Sequence, residues 1–280
     1  MLTRIFPILL ALLVFLGLSM APWGINCPFH GFIKPAYADE QSDEEKMKKL
    51  NHIFTYYYIQ PRPDKVVEFA EVISRVSEKN PKGYGGLFMA VALTQIFKQS
   101  EAKLKEWEPS FLKLSKHGRL FVGYALWWSG TKTGRQIIEA WAKTPENREV
   151  AEAVMAKPVL DMHTAPIIGP VQVHLLWGAF VASGDTKFVD RVIELLSNLK
   201  KPDLAGKTEA QQKEAERRFY TARFALATLT KYGIAHQRVY DRLKFYANSP
   251  DQTIRDAVAG IIPEIEKYRH ELIPGTPPAN

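Results

Sequence analysis

Cysteine is nearly absent: Cys27 stands alone in 280 residues. One thiol excludes a disulfide framework and any site needing two thiolates. Alternation of period two is missing throughout, so no sheet is expected. The compact motifs of common catalysts are missing as well: no His-Glu-x-x-His, no Gly-x-Ser-x-Gly elbow, no glycine-rich phosphate loop ending in Lys-Ser/Thr, and no EF-hand loop. Ser110-Phe111-Leu112-Lys113 and Lys132-Thr133-Gly134 match two short boxes of penicillin-recognising serine enzymes only in letters. The second box belongs on a strand, and here it falls in a turn between helical segments.

What is present is ordinary for a globular chain, 46% hydrophobic and 24% charged, with a formal charge of +7. The N-terminus reads as an export signal: Arg4, an uncharged apolar run over residues 5–20, then Ala36-Tyr37-Ala38 before Asp39. Residues 1–38 are expected to be removed after Ala38, releasing a cysteine-free chain into the periplasm. Loss of Arg4 and Lys34 with the leader lowers the formal charge from +7 to +5. The competing reading is an uncleaved inner-membrane anchor over residues 5–25 facing the periplasm, since about 20 apolar residues span a bilayer. Pro7 and Pro22 weaken such a helix, and Cys27 lacks the small-residue box of a lipoprotein. Export disfavours nucleic acid as a partner, and membrane contact is expected only through an uncleaved leader.

Residues 39–272 read as one all-α domain. The plainest unit runs from Leu175 to Leu196. Leu176, Trp177, Phe180 and Val181 have helical spacing, Ser183-Gly184 ends the first arm, and Asp185 caps the second. Phe188, Val189, Val192, Ile193 and Leu196 then share a face, while Gly178, Ala179 and Ala182 are small enough for a close helix crossing. Trp177 is expected in the core. Weaker copies surround Gly130 and Gly233, which lie 54 residues before and 49 after Gly184; in them Asp241-Arg242 echoes Asp190-Arg191. A fourth copy is placed at Tyr56-Tyr57-Tyr58-Ile59 and the helix after Pro63. Residues 120–128 carry no charge and are expected to form an inner helix. Thr144-Pro145-Glu146 and Ser249-Pro250-Asp251 both read as helix starts. Pro158, Pro166 and Pro170 break the pattern and make 157–170 a loop, expected to divide the stack into two portions. Residues 273–280 are expected to be a disordered tail.

The Gly184 hairpin resembles a tetratricopeptide unit in its late aromatic Phe180, its Gly-Asp turn and the apolar face of its second arm. It departs from that family at Trp177, where a very small residue is usual, and at Val189, where Ala is usual. The same phrases, Trp177-Gly178-Ala179-Phe180 and Ser183-Gly184-Asp185, are similar to segments of exported, uncharacterised helical-repeat proteins of Gram-negative bacteria. The resemblance implies a right-handed superhelical stack of antiparallel helix hairpins, about ten to twelve helices in all.

The expected function is non-enzymatic: a periplasmic scaffold binding a protein or peptide partner. Tyr57, Trp127 and Trp128 are the candidate partner-binding residues. Consecutive helical residues point about 100° apart, so both tryptophans cannot enter one interhelical seam. Two alternatives stand beside this reading. Asp161, His163 and His174 are candidate metal ligands of a metal-dependent enzyme, although the favoured reading has Asp161 and His163 satisfying backbone groups in a proline-rich loop and His174 at a helix start. The helix layers could also enclose an apolar ligand. No cofactor is expected.

Overall fold

A computed structural model describes residues 40–79 and 84–272. The leader with its Ala38 junction, Cys27 and the tail 273–280 lie outside the described residues. Those described form twelve α-helices and no strand. They are α1 (Glu40–Thr55), α2 (Val66–Lys79), α3 (Gly85–Gln99), α4 (Leu104–Phe111), α5 (Lys116–Trp128), α6 (Lys132–Trp141) and α7 (Pro145–Met155), then α8 (Pro170–Ser183), α9 (Thr186–Glu194), α10 (Glu209–Ala235), α11 (Gln237–Tyr246) and α12 (Gln252–Leu272). None of the described helices is long and apolar enough to cross a membrane.

The central hairpin forms as its residues dictate. Gly184 takes a left-handed conformation (φ +69°) at the end of α8, and the Asp185 carboxylate accepts from the Lys187 N–H at 2.9 Å to start α9. Gly130 (φ +67°) and the Thr131 hydroxyl do the same between α5 and α6. Gly233 does not. It lies inside α10, and the corner comes three residues later at His236. Two other helix starts also differ in detail. The Thr144 hydroxyl turns back to donate to the Trp141 carbonyl, and Asp251, not Ser249, caps α12 by accepting from the N–H groups of Thr253 and Ile254.

Helices two apart in sequence pack together in two runs. Over α2 to α7 the pairs are α2–α4, α3–α5, α4–α6 and α5–α7; over α8 to α12 they are α8–α10, α9–α11 and α10–α12. Between the runs the chain returns on itself, and α8 lies principally along α3. Both helices are apolar around their circumference, as burial from two sides demands: α3 is buried from Phe88 to Phe97 and α8 from Leu175 to Ala182. Gly178 permits the approach, since a Cβ there would stand 3.1 Å from the Phe88 carbonyl. Trp177 is fully buried and stacks on Tyr232 of α10, ring centroids 3.9 Å apart. The helix that carries the uncharged residues 120–128, α5, is an inner helix, packed on α2, α3, α6 and α7.

Candidate functional site

Fourteen residues separate α7 from α8, in a loop fastened by side chains of α5 and α9. Pro158 and Pro166 prevent helix there, so the backbone carbonyls need partners from elsewhere. Side chains supply them. On α5 the Trp127 Nε1–H donates to the Lys157 carbonyl at 3.3 Å and the Trp128 Nε1–H to the Pro158 carbonyl at 3.2 Å. On α9 the Arg191 guanidinium donates to the carbonyls of Met162 and Ala165. Burial pulls the Arg191 pKa down, opposed by the nearby Glu194 and Asp161 carboxylates. Met162 is buried and plugs the loop into the core, whereas Val159 and Ile168 are 46% and 58% exposed.

Inside the loop, Asp161 accepts from the His163 N–H at 3.0 Å and from the Thr164 hydroxyl at 3.1 Å, a side-chain turn. The bond from the His163 N–H, reinforced by Thr164, holds the Asp161 carboxyl below the usual carboxylate range. The His163 ring stacks on Phe188 at 4.4 Å, with Nε2 3.6 Å from the Asp185 carboxylate. His174 is elsewhere, on the first turns of α8 against Phe224 of α10. Burial, aided by Lys231, pushes its pKa down to about 4. Among the described residues no group of three or more His, Cys, Asp or Glu side chains is placed to hold a metal ion. Asp161 braces the loop, the His163 ring packs on α9, and His174 packs on α10.

Of the three aromatic candidates, Tyr57 and Trp128 are buried and need correction as direct contact residues, while Trp127 is half-buried. Tyr57 is 2% exposed and stacks beside Phe54, which in turn lies on Phe69 of α2. Burial pushes its phenol up to about 12, and no partner reaches it in the folded chain. Trp128 is buried and stacks on Tyr124, its N–H spent on the loop. Trp127 is half-buried beneath Arg135 with its N–H likewise engaged. The two indoles do diverge as helical spacing requires, yet they reach consecutive carbonyls of one loop.

Arg191, Val159 and Ile168 escaped the sequence reading. Arg191 was visible only as an echo of Arg242. The two in fact do different work, since Arg242 pairs with Asp190 at 2.7 Å and joins α11 to α9. Val159 and Ile168 sit in a loop without periodicity, so nothing in the letters distinguishes an exposed valine from a buried one. In comparisons with known proteins the chain matches no family model, no curated protein and no solved structure.

Proposed function

We propose that the protein is a non-enzymatic interaction protein, exported to the periplasm, that holds a protein or peptide partner at loop 156–169. Its helix hairpins wind as two short right-handed superhelical runs placed side by side, and the loop joins them. One observation carries this reading. Four backbone carbonyls of the loop are fastened by Trp127, Trp128 and Arg191 while Val159 and Ile168 are left in solvent. Loops on rigid scaffolds are where recognition concentrates, and an ordered loop loses less entropy on binding than a floppy one. Trp127 and Trp128 act in this scheme by positioning the loop.

The test is capture from the cell envelope by three forms of the protein: wild type, Val159→Asp with Ile168→Asp, and Phe245→Asp. Phe245 is 64% exposed on α11 and serves as a remote control. A co-purifying protein retained by wild type and Phe245→Asp, insensitive to chelator, and lost from the double variant is the expected result. Equal capture by all three removes the loop as the site. Loss on chelation turns the reading towards a metal-dependent activity.

A further inference from the structure

A second feature, independent of the loop, lies where the chain's beginning meets its end. After α1 the turn 56–59 crosses onto the C-terminal run of helices. The Tyr58 N–H donates to the Val181 carbonyl at 3.1 Å. The Tyr58 hydroxyl lies 3.3 Å from Nδ1 of His236, the residue at the corner between α10 and α11. Arg238 stands over the Tyr58 ring at 4.9 Å and donates to the Gly184 carbonyl at 2.8 Å. His236 itself is completely buried and walled by rings: Tyr56 at 5.1 Å, Phe180 at 5.4 Å, Tyr232 at 5.5 Å and Tyr58 at 5.7 Å. Its Nε2 has no hydrogen-bond partner.

We propose that turn 56–59 is an acid-released strap: it covers neutral His236, and proton uptake by that imidazole opens the strap. The surroundings offer a charged ring one hydroxyl acceptor, that of Tyr58, for its two N–H groups. Among the described residues no carboxylate contacts it. The charged groups on this side are Arg269 of α12, near the imidazole, and Arg238 of α11, across Tyr58. The titratable neighbours are the phenols of Tyr56, Tyr58 and Tyr232. An imidazolium has two N–H donors, and only Tyr58 is at hand. Tyr56 and Tyr58 are half-buried whereas Phe180 and Tyr232 are buried, so the strap is the part of the ring's aromatic wall that meets water. Phe54 of α1 lies on Phe69 in the core on the α2 side and keeps α1 in place when the strap lifts.

Burial, with Arg269 second, pulls the His236 pKa from 6.5 to about 4. The closed form therefore stays neutral where an exposed histidine would already be protonated. As pH falls from about 6.5 towards 4, each unit raises the opened fraction about tenfold. Above about 6.5 the opening is independent of pH.

Hydrogen exchange of the Tyr58 amide, corrected for the intrinsic rate and followed from pH 7 to pH 4.5, tests this in the whole chain. The expected result is a loss of protection of about tenfold per unit below pH 6.5, while amides of α3 remain protected. His236→Phe, which keeps a ring and cannot titrate, is expected to flatten the response; His174→Phe is not. A pH-independent Tyr58 amide, loss of protection in α3 in step with it, or the same response in His236→Phe overturns the proposal. Should His236→Phe fail to fold, the wild-type imidazole decides: titration near 6.5 by NMR contradicts a covered ring, and titration near 4 supports it.

Discussion

Trp177 shows what a single residue does here. It departs from the tetratricopeptide pattern, and the departure has a consequence: a small residue at that position could not stack on Tyr232 at 3.9 Å or meet Phe180 edge-on at 5.9 Å. The indole ties α8 to α10. Its Nε1 has no partner, so its contribution comes from packing and buried area, not from a hydrogen bond. Trp177→Ala is expected to cost about 3–5 kcal/mol, as for other buried tryptophans. Exposed Lys187→Ala should cost about 0.5 kcal/mol or less. Denaturant midpoints of the two variants check this, and similar small effects would mean the hairpin is not held by the tryptophan. The core identity of Trp177 was legible from helical spacing. The burial of Tyr57 was not, because three consecutive tyrosines give no phase. Tyr56 and Tyr58 went to the C-terminal run and Tyr57 to α2, a choice made by elements more than a hundred residues apart.

Among the elements, the corners followed their letters where glycine and a capping side chain stood together. Gly130-Thr131 and Gly184-Asp185 are such places. Gly233 lacked a cap after it, and α10 ran through it to a corner at His236. The Thr208–Gln211 capping box starts α10. Gly184 carries more than its turn. A Cβ there would collide with the Arg238 guanidinium and stand 2.6 Å from the Tyr58 ring, whereas Gly206, also left-handed at φ +72°, faces open space. Gly206→Ala is therefore expected to cost only the left-handed strain, about 1–2 kcal/mol. Gly184→Ala adds the steric overlap and should unfold at a clearly lower temperature. Calorimetry on the pair measures the difference, and equal losses would show that the strap does not press on that corner.

At the scale of the whole molecule, the all-helical class was legible and the arrangement was not. Periodicity reports which face of a helix is buried, not what buries it. The apolar circumference of α3 and α8 requires burial from two sides, yet a continuous stack would satisfy that as well as the α3–α8 pairing that forms. The proline-rich break marked where the runs divide, but not that its backbone would be fastened by both indoles of α5 and by Arg191 of α9. Those contacts hold the joint between the runs and leave two aliphatic side chains in water. The central claim is that this joint is a partner site. Site-specific photocrosslinking in the intact cell reads it most directly, with the photoreactive residue placed at Ile168 and, as a control, at Phe245. A discrete crosslinked protein from position 168 and none from position 245 is the predicted result. Absence of any protein adduct at 168, or the same adducts at both positions, would contradict it.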